Sequence, residues 1–159
     1  MIGVKLITVG TLKEGYLRDA AAEYEKRLGG FCKFSSITLK EEKLPDSPSE
    51  GEIRTALRKE GDRILAEMPK KAYRIAMCVE GKQLSSEELA EKLEGIGRTH
   101  GELCIVIGSS HGLDEAVKSA CDLRLSVSKL TFPHQLMRVI LLEAVYRGFN
   151  ILKGTHYHK

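Results

Sequence analysis

Glycines and small polar residues directly follow one of the most apolar segments of the chain. The run 102–107 (ELCIVI) is followed at once by 108–112 (GSSHG). Glycines just past a buried strand let a ligand approach the backbone closely, and open α/β sheets bind ligands at the carboxyl ends of their strands. The segment has neither the Gly-Lys-Ser/Thr of a P-loop nor the full GxGxxG spacing. By itself it therefore favours a ligand-binding turn and an ordinary strand-to-helix turn about equally.

A second polar segment, 125–135 (LSVSKLTFPHQ), joins a short strand to the last predicted helix. Its hydroxyls and free backbone groups lie beside a helix N-terminus, which attracts anions. A carboxylate or a phosphate would suit this position. An elaborate helix cap would explain the same residues, so both interpretations stay open at this point.

The last predicted helix is unusual in being apolar on nearly every side. Between Leu136 and Tyr146, nine of eleven residues are apolar, and Arg138 and Glu143 are the exceptions. A helix of this kind is either buried or shared with a partner, and in so short a chain it predicts a homodimer interface. Arg138 lies on the same side as the polar residues that open the helix. It either serves a ligand, caps a neighbouring helix, or pairs with Glu143 of a partner.

The elements that must position these segments follow from the periodicity of apolar residues. Strands alternate with helices, which predicts an α/β fold with a mostly parallel sheet. Ser49 with Glu52, and Ser85 with Glu88, form capping-box patterns at two helix starts, and Gly81 is predicted to turn the chain. Residues 1–159 are predicted to form one domain. The predicted strands are 2–9, 31–39, 73–79, 102–107 and 122–127, and residues 40–51 are the longest predicted loop. The predicted helices are 13–28, one from the Ser49/Glu52 capping box to about 68, one from the Ser85/Glu88 capping box to about 96, 114–120 and 133–149.

Composition sets limits on the compartment and the partners. The 159 residues carry a net charge of +3, which allows an RNA partner without arguing for one. No apolar run approaches the roughly 20 residues that span a bilayer, and the apolar start reads as a strand rather than a signal peptide. The four cysteines form no CxxC pair, which favours buried thiols over metal ligands or disulfides. We therefore expect a protein of the cytoplasm, with neither metal nor membrane among its partners.

Several segments together match one family closely. The run 125–138, which contains TFPHQ, the run 141–147 (LLEAVYR), and the ending Tyr157-His158-Lys159 resemble the RlmH family. This family comprises the 23S rRNA pseudouridine N3-methyltransferases of the SPOUT superfamily. The resemblance extends to residues 9–10, 23–28, 81–87 and 106–108, so it spans nearly the whole chain.

The resemblance implies a fold, a cofactor and an assembly. The fold would be a SPOUT-type, mostly parallel sheet flanked by helices, with a deep trefoil knot in the C-terminal half, a feature otherwise almost absent from proteins. The cofactor would be S-adenosyl-L-methionine, and a homodimer would complete the site across its interface. Three loops would bind the cofactor, through Met77, Gly108, Val127, Ser128, Lys129, Leu130, Thr131 and Phe132.

One departure from the family pattern concerns the turn after Gly108. The family commonly has a second glycine at the position that Ser109 occupies here. A serine does not adopt a positive φ without cost. If Ser109 has a positive φ, we expect weakened cofactor binding.

The implied reaction assigns roles to three residues. N3 of pseudouridine carries an imide proton and becomes a good nucleophile only when that proton leaves. His158 is the predicted catalytic base, because histidine is the usual proton acceptor near neutral pH. Tyr157 would stack on or orient the target base, and Arg138 would hold a phosphate or stabilise the imide anion. The substrate would be 23S rRNA within the ribosome, since the chain has no separate RNA-binding domain.

Two other classes of protein remain open on the residues alone. One is a non-enzymatic RNA- or nucleotide-binding module on the same α/β scaffold. The other is a flavodoxin-like nucleotide-binding enzyme, which would be an unknotted monomer. Binding of S-adenosylmethionine and the oligomeric state separate these classes from a SPOUT methyltransferase.

Overall fold

Five strands and five helices alternate in the computed structural model, which describes residues 1–159. The predicted α/β class is confirmed, and every predicted element is present. The elements are β1 (Gly3–Val9), α1 (Gly15–Leu28), β2 (Lys33–Leu39), α2 (Glu50–Glu67), β3 (Tyr73–Gln83), α3 (Ser86–Thr99), β4 (Glu102–Ile107), α4 (Glu115–Ser119), β5 (Leu123–Ser126) and α5 (His134–Lys153).

The five strands form a single sheet in which every pairing is parallel. Their order is β2-β1-β4-β3-β5, so β4 lies in the centre between β1 and β3. Both faces of the sheet are covered, because successive residues of β4 belong alternately to two apolar clusters, one on each face. Burial on both faces explains why this strand reads as a continuous apolar run.

The helices divide between the two faces of the sheet. Residues of α1, α3 and α5 pack with one set of strand residues, which includes Leu103, Ile105 and Ile107. Residues of α2 and α4 pack on the opposite face, against Cys104 and Val106. Helices α2 and α3 begin at the two predicted capping boxes, each with both reciprocal hydrogen bonds formed. None of the five helices combines the length and apolar character needed to cross a membrane.

The prediction of a turn at Gly81 was wrong, because β3 continues to Gln83. Leu125 of β5 pairs with both Met77 and Lys82, so the register shifts between these two residues of β3. We call residues 78–81 the β3 bulge. A Cβ atom on Gly81 would lie 2.7 Å from the backbone nitrogen of Leu125. The glycine therefore permits a close approach between two strands instead of ending one.

The last helix also runs further than predicted, to Lys153 rather than to residue 149. It ends at Gly154, whose φ of 68° is left-handed, a conformation that glycine adopts most readily. The remaining residues fold back toward the same helix, and the amide of Thr155 donates to the carbonyl of Asn150 at 3.1 Å. The tail is thus directed by a helix cap.

Candidate active site

A cavity of about 470 Å³ lies at the carboxyl ends of β3, β4 and β5, and we call it the main cavity. Its volume falls in the range of about 300–1,000 Å³ that is typical of ligand pockets. Three segments wall it: the β3 bulge with Met77, the turn 107–113, and the segment 125–134. The two polar segments that the sequence singled out are therefore walls of one cavity.

Seven of the eight residues predicted to bind the cofactor line the main cavity. Lys129 is the exception, because it is exposed and does not belong to the lining. The segment is held in shape by short hydrogen bonds at Ser128, whose carbonyl accepts from the Ser126 hydroxyl at 2.9 Å and whose hydroxyl accepts from the Leu130 amide at 3.0 Å. The lining members of the predicted set are Met77, Gly108, Val127, Ser128, Leu130, Thr131 and Phe132.

The turn after β4 has a tight backbone. A Cβ atom on Gly108 would lie 2.2 Å from the carbonyl oxygen of Gly112, so only glycine fits there. Gly112 has a φ of 93°, whereas no residue other than glycine has a positive φ. Ser109 is 7% exposed and its backbone is unstrained, so the condition under which it would weaken cofactor binding is not met.

Sequence reasoning missed several residues of the main cavity. The β3 bulge contributes Cys78, Val79 and Glu80, and the start of α5 contributes Met137. His134 also lines the cavity, but it belongs to the polar segment 125–135 that the sequence had indicated. The Glu80 carboxylate accepts a hydrogen bond from Lys118 Nζ at 2.6 Å, and this contact lowers the pKa of Glu80 below its usual value. A bulge caused by a register shift leaves no periodic signal, so these residues were not recognisable from the sequence.

Arg138 does not line the main cavity. Its side chain is 7% exposed, and Nη2 donates to the carbonyl oxygen of Gly10 at 2.7 Å. Its buried Nε has no hydrogen-bond partner. Burial lowers the pKa of Arg138, and the carboxylate of Glu25 acts in the opposite direction. Glu143 pairs instead with Arg147 of the same helix.

The tail residues Tyr157 and His158 lie together, but not at the main cavity of the same chain. The Tyr157 hydroxyl donates to Glu143, and its ring meets that of Tyr146 edge-on with centroids 4.8 Å apart. His158 Nε2 lies 2.8 Å from Glu87 Oε1, and Nδ1 lies 3.2 Å from Arg147 Nη1. The structure thus brings together two of the three predicted catalytic residues, well along α5 from the cavity.

We expect Arg138→Met to lower the free energy of unfolding by about 2 kcal/mol, because it leaves the Gly10 carbonyl without its partner. Chemical denaturation measures this loss. Arg98→Met is the matched control, since its exposed ion pair with Glu94 contributes at most about 0.5 kcal/mol. Unchanged stability of Arg138→Met would show that the contact with Gly10 contributes little to folding.

A family model, together with the fold, places the chain in the SPOUT class of methyltransferases. The family model described as "Predicted SPOUT methyltransferase" matches residues 2–158. The chain is also similar to the crystal structure of a tRNA methyltransferase from Aquifex aeolicus, with a TM-score of 0.57 and 14% identity over 99% of this chain and 73% of that one. At this identity the likeness concerns the fold alone; together with the family model it confirms the predicted SPOUT-type fold.

Relatives of known name cover the chain almost end to end. Proteins named "Ribosomal RNA large subunit methyltransferase H" are 52% identical in Streptococcus thermophilus, over 98% of this chain and 99% of the relative. They are 51% identical in Bifidobacterium adolescentis, over 98% and 99%, and 46% identical in Clostridium beijerinckii, over 99% and 100%. The chain belongs to the RlmH family of SPOUT methyltransferases.

Membership of this family settles the class of activity. The chain is a methyltransferase dependent on S-adenosylmethionine, as predicted. The two other classes, a non-enzymatic binding module and a flavodoxin-like enzyme, are thereby excluded. The size of the main cavity suits the cofactor. The turn at Gly108, where only glycine fits, lets a ligand approach the backbone closely. The walls are largely apolar but include the Glu80 carboxylate, whose pKa is lowered by Lys118.

Proposed function

We propose that the chain methylates N3 of a pseudouridine in 23S rRNA within the ribosome. The observation that carries this proposal is the three-walled cavity at the strand ends, in a chain 52% identical to a ribosomal RNA large subunit methyltransferase H. A net charge of +3 suits an enzyme that reads a preformed RNA surface, since proteins that grip free RNA are commonly more basic.

The main cavity is the proposed site of S-adenosylmethionine. The backbone at Gly108 and along 127–132 would hold the cofactor, and Lys129 would contribute through its backbone alone. Apolar walls at Met77 and Val127 suit the adenine ring, and the Glu80 carboxylate suits a hydroxyl or ammonium group. When bound, the cofactor supplies a methyl group already activated by its sulfonium charge.

The catalytic tail would reach the cavity from a second copy of the chain. Ten positions of α5 separate Met137, the lining residue furthest along this helix, from Arg147, which contacts His158; at 1.5 Å per residue this is about 15 Å. A single chain therefore does not unite the cofactor site with its own tail. Apolar side chains near the cavity also remain exposed, among them Val79 at 79%, Leu130 at 72% and Leu136 at 36%. A symmetric dimer would cover them and complete two sites.

His158 is proposed to accept the imide proton. In this chain its two ring nitrogens face Glu87 and Arg147. The contact of Nδ1 with Arg147 must therefore open before this nitrogen can accept the proton. Tyr157 remains protonated, because burial and its hydrogen bond to Glu143 raise the pKa of its hydroxyl. A neutral phenol can stack on a base or donate a hydrogen bond to it. Arg138 would act by holding Gly10 rather than by touching the substrate.

Mass spectrometry of 23S rRNA from cells that lack this protein tests the substrate. We expect the loss of one methyl group from a pseudouridine, restored by the intact chain. Light scattering of the purified protein tests the assembly, and we expect the mass of a dimer. An unchanged rRNA would refute the substrate, and a monomer that methylates rRNA would refute the composite site.

A further inference from the structure

A second cleft lies beside the main cavity, at the carboxyl ends of β1 and β2. We call it the β1–β2 cleft, and its volume is about 510 Å³. It is mostly polar, and of the predicted cofactor loops only the turn after β4 reaches it, through Ser110. No residue of the tail lines it. Its lining residues are Gly10, Thr11, Lys13, Thr38, Leu39, Lys40, Glu41, Ser110, His134 and Gln135.

The β1–β2 cleft adjoins the main cavity directly. Ser110 and His134 line both spaces. The sheet order explains this arrangement, because β4 separates β1 and β2 on one side from β3 and β5 on the other. The turn after β4 and the start of α5 are therefore the wall between the two spaces. A group lying in the cleft against this wall is next to a ligand of the main cavity.

Hydrogen bonds hold residues on both edges of the cleft in place. On one edge, Gly10 is bound by Arg138, and the Lys13 amide donates to Gln135 Oε1 at 3.1 Å. On the other edge, the Lys40 carbonyl accepts from Arg63 at 2.9 Å. Two of the three side chains that make these bonds, Arg138 and Arg63, are charged, and Arg138 is also buried. These contacts preorganise the cleft.

The cleft is lined by two lysines and one carboxylate, that of Glu41, so its charge has a positive excess that suits an anionic polymer. Lys13 and Lys40 are exposed, and neither forms an ion pair. The His134 ring forms no side-chain hydrogen bond within the chain and lies between these lysines and the main cavity. Burial lowers the pKa of His134; Arg138 and Lys13 add to this effect and Glu41 opposes it. A neutral imidazole both donates and accepts hydrogen bonds.

We infer that the β1–β2 cleft receives the target nucleotide of the RNA, with its base against His134 and its flanking phosphates on Lys13 and Lys40. This inference rests on the proposed function and identifies the part of the molecule that binds its substrate. His134 is a positioning residue in this arrangement: it aligns the polar edge of the base with the methyl donor. The base then enters from the side of the sheet opposite to the cofactor loops.

The double variant Lys13→Ala/Lys40→Ala tests the cleft. The substrate is large ribosomal subunits from cells lacking the enzyme. We expect KM for the subunits to rise about tenfold, and the slope of log affinity against log salt to fall by about 2 in a direct binding assay, since each lost phosphate contact removes about 1. The dissociation constant of S-adenosylmethionine, measured by calorimetry, should stay unchanged.

Lys70→Ala/Lys71→Ala is the matched control. These exposed lysines precede β3 and so lie at the amino edge of the parallel sheet, away from the cleft. We expect no change in KM or in the salt slope. His134→Gln, which keeps a hydrogen-bonding side chain, should retain more activity than His134→Ala. Unchanged KM and slope in the cleft variant would overturn the inference, whereas inactivity of the unmodified enzyme on these subunits would overturn the proposed function itself.

Discussion

Gly108→Ala is expected to weaken S-adenosylmethionine binding by roughly a hundredfold or more, about 3 kcal/mol. The added Cβ would lie 2.2 Å from the Gly112 carbonyl oxygen and 2.9 Å from Leu113 Cδ2. Because the nearest atom is backbone, the turn itself must open to accept the methyl group. That turn is a wall of the main cavity, so the cavity changes shape. Calorimetry with S-adenosylmethionine measures the loss.

Gly95→Ala is the control for this substitution. Gly95 lies within α3, and a Cβ atom there would meet nothing within 4 Å. We expect normal cofactor binding and a gain in stability of about 0.5–1 kcal/mol, because alanine favours a helix more than glycine does. Near-normal affinity of Gly108→Ala would mean that the cofactor does not depend on this turn.

His158→Ala is expected to lower kcat by about 10²–10⁴-fold, the usual contribution of a positioned general base. Binding of S-adenosylmethionine should not change, because His158 does not line the main cavity. Single-turnover methylation of large ribosomal subunits measures the first effect and calorimetry the second. An unchanged rate of methyl transfer would show that another group accepts the proton.

A mixing experiment tests whether the tail acts on the partner's cavity. His158→Ala is mixed with Thr131→Trp, which blocks the main cavity at an exposed lining residue. If each site combines one chain's cavity with the other chain's tail, half of the dimers are mixed and each regains one site, so roughly a quarter of normal activity returns. Activity that stays at the level of the separate variants would contradict a composite site.

The fold was predictable because its signals are local. Continuous apolar runs identified the buried strands, and the serine–glutamate pairs at Ser49 and Ser85 identified two helix starts. The path of β3 was not predictable, since the bulge at 78–81 arises from a register shift against β5. A knot also leaves no periodic pattern of apolar residues, so the trefoil knot could be expected only from the family resemblance.

Part of the candidate site was predictable, because two of its walls are short segments with a distinctive local composition. Glycines and hydroxyls concentrated at 108–112 and 126–133 pointed to two walls of the cavity. The resemblance supplied the third wall at Met77, but not the residues of the bulge. Arg138 shows the limit of such reasoning, because its place beside α5's polar start suggested a ligand, whereas its partner is Gly10, 128 residues away in sequence.

The division of the sheet by β4 has a consequence for how such an enzyme changes its target. All residues that line the main cavity come from position 77 onward, whereas seven of the ten residues that line the cleft come from positions 10–41. Only Ser110 and His134 are common to both. Segments 10–13 and 38–41 can therefore diverge, or be redesigned, toward a different nucleotide while methyl-donor binding is inherited intact. The two ends of one sheet edge thus carry two separate specificities, one for the methyl donor and one for the nucleotide.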